Sequence, residues 1–230
     1  MSKVIGIIGA MDIEVEKFIE NLSDIEKVTI SGIDFYSGTA FGKKIVVVKS
    51  GVGKVFASIA TEILCIKFGV SCVINTGVAG ALYGLKIGDI VVSNSVCQHD
   101  MDTSAIGDPI GLISGINKVY LNADENLVSL ALSSANKNGL NAVSGIIASG
   151  DKFVADKNEK EYIYKNFSAL CVEMEGASVG QTAYLNSVPF IVIRAISDDG
   201  DDSHAVEFVK FAKESAIKAN AIICDMLQNI

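Results

Sequence analysis

Arginine is almost absent from this chain: of its 19 basic residues, Arg194 is the only one that is not lysine. With 27 acidic residues the formal net charge is −8. That balance excludes a nucleic-acid surface, which needs a concentrated basic footprint, and leaves a small molecule as the expected ligand. Histidine is nearly as scarce, with His99 and His204 alone, so a histidine-rich metal centre is not expected. The five cysteines are odd in number and form no C-x-x-C pair, and four lie in apolar runs. They read as reduced, buried thiols of a cytoplasmic protein, not as a disulfide frame or a zinc site. The two prolines, Pro109 and Pro189, mark a loop and the start of a strand. No Pro-rich or Ser-rich linker, repeat or low-complexity tract divides the chain, which predicts one domain over residues 1–230. No apolar run approaches the roughly 20 residues needed to cross a bilayer, so no membrane partner is expected. The run Val4 to Met11 is followed at once by Asp12, Glu14 and Glu16, and reads as a first strand instead of a signal segment.

What is present is apolar material: half the residues are hydrophobic and 20% are charged, enough for a substantial core. Short apolar runs alternate with longer amphipathic segments, the pattern of an α/β protein. Strands are predicted at Val4 to Ile8, Lys27 to Ile30, Phe35 to Thr39, Lys44 to Val48, Cys72 to Thr76, Asp89 to Ser93, Ser144 to Ser149, Ala169 to Glu173 and Phe190 to Ala195. Helices are predicted at Asp12 to Asn21, Lys54 to Phe68, Glu125 to Asn138, Asn158 to Asn166, Ala177 to Leu185 and about Ala205 to Gln228. The last carries Phe208, Phe211, Ala212, Ala219, Ile222, Ile223 and Met226 near helical spacing, so one face packs on the sheet. The stretch Gln98 to Gly115 has no clear period, and a loop of that length is expected to be functional or to meet a neighbouring subunit.

Several strand ends carry unusual chemistry. In "GIIGAMDIEVE", Asp12 is a plausible N-cap, which puts Glu14 in the first helical turn, where the helix-end potential favours an ionised carboxylate. "KSGVGKV" and "NTGVAGA" are glycine-rich turns, but neither is a nucleotide fingerprint: Gly51-Val52-Gly53 lacks the third glycine of G-x-G-x-x-G, and Val48 stands where a Walker loop needs glycine. Gly77 and Gly80 are left as places where backbone approaches a ligand closely. In "VIRAISDDGDD" the single arginine sits inside an apolar strand with Ser197 and Asp198 beyond it. It marks a bound anion, a positioned water or a structural Arg–carboxylate pair. "CVEMEGA" places Glu173 and Glu175 around Met174 as another strand runs out. In an open α/β sheet such strand ends line the ligand cleft.

Taken with "GDIVVS" and "SGDKFV", these motifs resemble, in order and spacing, the bacterial 5'-methylthioadenosine/S-adenosylhomocysteine nucleosidases of the nucleoside phosphorylase superfamily. The resemblance runs from residue 4 to about residue 204. It implies a three-layer α/β/α sandwich around a mixed, partly barrel-like central sheet. It also implies a homodimer without a cofactor, which cleaves adenine from 5'-methylthioadenosine, S-adenosylhomocysteine and 5'-deoxyadenosine, a step of methionine salvage. By the resemblance, Glu14 activates water and Asp198 protonates purine N7. Glu175 holds the ribose hydroxyls, Met174 lies against the sugar, Phe153 stacks on adenine and the backbone of Val154 reads the base edge. Gly80, Met11, Val78 and Glu173 also face substrate, while Arg194 and Ser197 order the water and the acid.

The residue types suit that chemistry. Breaking an N-glycosidic bond leaves an oxocarbenium-like sugar, which carboxylates stabilise, and an acid at N7 lets adenine leave neutral. Asp198 then has to carry or share a proton, whereas Glu14 is expected ionised, favoured by the helix N-terminus and Arg194. Val78 stands where many relatives have serine, and Ile106 where many have an aromatic residue lining the 5' pocket, so the preferred 5' substituent stays open. The rivals are a futalosine-type nucleosidase, a nucleoside phosphorylase and a non-catalytic nucleoside-binding protein. A phosphorylase normally grips phosphate with several arginines, which this chain lacks.

Overall fold

A computed structural model of the chain describes residues 3–198 and 204–230; for residues 204–210 only the backbone is described. Expected features at Phe208, and the part of the "VIRAISDDGDD" motif beyond Asp198, therefore lie outside the described residues or side chains. Chain order is β1 (Val4–Gly9), α1 (Asp12–Glu20), β2 (Ser23–Ile30), β3 (Ile33–Ala40), β4 (Lys43–Lys49), α2 (Lys54–Ile66), β5 (Cys72–Ala81), β6 (Ile90–Gln98), β7 (Leu121–Asn122), α3 (Glu125–Lys137), β8 (Ala142–Ser149), α4 (Lys157–Phe167), β9 (Ala169–Glu173), α5 (Gly176–Leu185), β10 (Phe190–Asp198) and α6 (His204–Asn229).

All ten strands belong to one mixed sheet, ordered β10-β6-β8-β9-β5-β1-β4-β3-β2, with β7 on β6. A further pairing of β10 with β5 closes the first five into a ring. The sheet is thus a five-stranded barrel extended by a flat wing of β1, β4, β3 and β2. Two apolar layers cover it. Ala57, Ala60 and Leu64 of α2 and Ala177, Val179 and Ala183 of α5 pack on one face. Val15 and Phe18 of α1, Leu127 and Ala131 of α3 and Ala219, Ile222 and Ile223 of α6 pack on the other. This is the expected three-layer arrangement.

Strands buried on both faces read as continuous apolar runs, which is why β1, β4 and the first half of β10 were legible. The barrel strands run further than their apolar runs. β5 continues through Gly77, Val78, Ala79 and Gly80 to Ala81, and is buried along nearly its whole length. "NTGVAGA" is therefore strand, not turn, because β10 pairs with it from Val73 to Gly80 and holds it extended. Its glycines make room: a Cβ on Gly77 would sit 2.7 Å from a Glu14 carboxylate oxygen, and one on Gly80 3.0 Å from Asp198. The close approach expected of these residues is thus made to the chain's own side chains. The Gln98 to Gly115 segment is knit by a short 3₁₀ turn at Ser104–Ile106 and by Thr103 Oγ1 donating to Asp108 at 2.8 Å.

Candidate active site

The carboxyl ends of β1, β5, β8, β9 and β10 meet at the barrel rim around a cavity of about 250 Å³. Met11, Glu14, Val78, Gly80, Phe153, Val154, Glu173, Met174, Glu175, Ser197 and Asp198 all border it. Of the residues singled out in the sequence as site residues, Arg194 alone is not on its wall.

Glu14 is the third residue of α1 and only 3% exposed. Its Oε2 accepts from the amides of Ala10 at 2.7 Å and Met11 at 2.9 Å, and Oε1 accepts from Val78 N at 3.2 Å. The carboxylate thus reaches back and caps its own helix, as the acid of a capping box does. Met11 therefore holds the N-cap position, and the expected N-cap, Asp12, is instead the first helical residue, exposed and paired with Lys49 at 2.8 Å. The helix-end field does not act on Glu14 alone. Burial pushes its pKa up and outweighs the lowering by Arg194 and the three amides.

Arg194 lies beneath the floor of the cavity, 1% exposed. Its guanidinium donates to Glu173 through Nε at 3.1 Å and through a very short second contact, and to Asn75 Oδ1 at 2.7 Å. The charges of Glu173, Glu14 and Glu175 all hold it protonated. Arg194 stands off the cavity wall in a buried pair with Glu173, with Asn75 and, 3.3 Å from Nη1, the Ile193 carbonyl as its other acceptors. Glu173, last in β9, is equally engaged. It accepts from Arg194, from Ser149 Oγ, and from the amides of Glu175 at 3.1 Å and Gly176 at 2.8 Å. It braces the turn into α5.

Glu175 follows in that turn, 7% exposed. Oε1 accepts from Gly53 N at 2.8 Å, while Oε2 stands 3.9 Å from Arg194. Gly53 presents this amide from a backbone with φ +101°, a conformation that favours glycine. Burial, and then the charge of Glu173, push the Glu175 pKa up to about 8. Phe153, 46% exposed, stands at the rim above buried Val154. Ser197 Oγ points at Ala79 O, 3.4 Å away. Ile106, expected near the 5' pocket, is 82% exposed and borders no part of the cavity within one chain.

At the end of β10, Asp198 is 2% exposed and its Oδ1 accepts from Lys160 Nζ at 2.9 Å. Lys160 itself is 4% exposed. Sequence reasoning missed this residue, hidden in the charged run "KNEKEY". The available signal was its spacing, three before Ile163 and seven before Phe167, which places it on the buried stripe of α4.

The model of the phosphorylase superfamily matches residues 4–228. A 5'-methylthioadenosine/S-adenosylhomocysteine nucleosidase of Staphylococcus carnosus is 38% identical over 229 residues, spanning 99% of this chain and 100% of that protein. The chain belongs to this nucleosidase family. Among solved structures, the Neisseria meningitidis nucleosidase in complex with methylthio-immucillin-A matches with a TM-score of 0.96 and 34% identity, over 99% of this chain and 100% of that one. A futalosine hydrolase of Helicobacter pylori matches with a TM-score of 0.96 and 37% identity, over 100% and 99%. The fold here is thus shared almost end to end with both proteins.

Proposed function

We propose that this family member hydrolyses the N-glycosidic bond of 5'-methylthioadenosine and S-adenosylhomocysteine, releasing adenine and the 5-thio-substituted ribose. The observation that carries the reading is one cavity whose lining includes three buried carboxyl groups, those of Glu14, Glu175 and Asp198. In the step envisaged, the C1'–N9 bond breaks and its electron pair enters the base, whose N7 takes the proton of Asp198. A water oxygen bonds to C1' and gives a proton to Glu14. Solvent exchange then returns both acids to their starting states. A Glu14 made more basic by burial suits a proton acceptor working near neutral pH. Glu175 holds the ribose hydroxyls, Met174 packs against the sugar, and Phe153 and Val154 receive adenine. Water is favoured over phosphate as nucleophile because the single arginine of the chain, Arg194, stands off the cavity wall and pairs with Glu173 and Asn75, which leaves no guanidinium fork for phosphate.

A homodimer fits the exposed apolar residues Val52, Val55, Phe56 and Ile59 at and before the start of α2, together with Ile106. Five free cysteines fit a reducing, cytoplasmic setting, and no helix among the described residues is long and apolar enough to cross a membrane. A second reading, cleavage of a futalosine-type nucleoside by the same site, is favoured by the likeness to the Helicobacter pylori hydrolase. The test is to incubate the protein with 5'-methylthioadenosine, S-adenosylhomocysteine, amino-futalosine and inosine, with and without phosphate, and to follow the free base. Adenine release without phosphate is expected from the first two. No release from either sinks the proposal, and strict dependence on phosphate converts it to phosphorolysis.

A further inference from the structure

Lys160 is a lysine where the local pattern calls for an apolar side chain. In α4 the buried residues are Lys160, Ile163 and Phe167, one helical stripe against the barrel, and the rest of the helix is largely charged and outward-facing. Removing an ammonium from water is unfavourable by several kcal/mol unless a partner receives it. The partner is the carboxylate that borders the base side of the cavity, 2.9 Å away, and both side chains are at most 5% exposed. From the other side Gly80 closes on the same group: a Cβ there would lie 3.0 Å and 3.1 Å from the two Asp198 oxygens. Asp198 is therefore gripped between a backbone and an ammonium, and Lys160 itself does not reach the cavity wall.

We propose that Lys160 is a positioning residue for the acid that serves the leaving base, and that its ammonium neutralises the carboxylate formed when Asp198 gives up its proton. The inference rests on the hydrolytic reading above. In that step the proton shared between Asp198 and purine N7 passes to N7 as the base departs, so negative charge grows on Asp198 beside a fixed positive one. A charge placed where charge develops stabilises the transition state more than the ground state, and a low-dielectric surrounding strengthens the effect. No proton leaves Lys160. Its charge stays constant while that of Asp198 changes.

The competing role is mere attachment of α4 to the barrel, and a double-mutant cycle separates the two. The kcat and KM for 5'-methylthioadenosine are measured for wild type, Lys160→Met, Asp198→Asn and the double variant. Lys160→Met is expected to lower kcat by roughly 10- to 100-fold with KM within about threefold, since the interaction strengthens only as charge develops. In the Asp198→Asn background the same change is expected to lower kcat by less than about threefold, because no charge develops there. A Lys160→Met kcat within about threefold of wild type overturns the proposal, and so does an equal loss in both backgrounds. Failure of the wild-type protein to release adenine overturns the hydrolytic reading itself, a result distinct from an active wild type with an indifferent Lys160.

Discussion

In one half of the cavity three carboxylates, those of Glu14, Glu173 and Glu175, share the field of a single guanidinium, Arg194. In the other half one carboxylate, Asp198, meets one ammonium, Lys160. The first arrangement is short of positive charge, and its acids register the shortage: burial and mutual repulsion push Glu175 up to about 8, and burial pushes Glu14 up as well. Glu173 takes the guanidinium contacts at close range, while Glu175 has Arg194 only at 3.9 Å. In the second arrangement an ammonium stands in direct contact with the carboxylate, 2.9 Å away. A buried site therefore assigns roles to its acids by how cations are apportioned among them, and two identical side chains two residues apart can be given unlike duties.

Replacing the groups on the crowded side should expose this difference most strongly. Glu14→Gln removes the proposed proton acceptor, and kcat on 5'-methylthioadenosine is expected to fall by about 10²–10⁴-fold with little change in KM. A loss under tenfold would show that water needs no base there. Arg194→Met tests the shared guanidinium. It leaves Glu173 buried beside Glu14 and Glu175 with no cation, and chemical denaturation is expected to show about 3–5 kcal/mol lost stability. An unchanged midpoint would mean that the three acids are already neutral in the folded protein.

The smallest effect depends on pH. A carboxyl group with a raised folded-state pKa supports folding while protonated and loses that support as pH climbs between its ordinary 4.5 and about 8. Glu175→Gln removes the charge, so its Tm relative to wild type is expected to rise from pH 5 to pH 8, by something on the order of several degrees. Glu14 shifts in the same direction but is present in both proteins, so it does not obscure the difference. A Tm difference that stays constant over that range would refute the raised Glu175.

Much of this was legible in the sequence because apolar runs report burial. All nine predicted strands and six predicted helices are present, with ends displaced by a few residues. Displacement is greatest at the ends of β5 and β6, each five residues beyond the predicted end, and at the start of β2, four residues early; the later parts of β5 and β6 mix glycine, alanine and polar residues with apolar ones and are kept extended by pairing on both sides instead of by their own preference. The two-residue β7 left no pattern to read. At the site, residues at strand ends were found by their motifs, and the family resemblance supplied their proposed roles. What escaped was the burial of Glu14 and the part of Lys160. Glu14 carries a helix cap inside a buried pocket, so burial, invisible in one dimension, overrides the helix-end field. Lys160 was masked by charged neighbours that face outward while it alone turns in.

The closure of β5 on β10 carries a consequence for how this molecule comes to life. Asn75 and Arg194, joined at 2.7 Å across that seam, are 119 residues apart in the chain. Glu14 must wait for Val78, and Asp198 must wait for Lys160 and Gly80. Contacts between such distant segments form late, since the loop entropy is lost before the contact repays it. The groups that border the cavity are thus brought together only across long spans of chain. The last strand is the one that joins the ring.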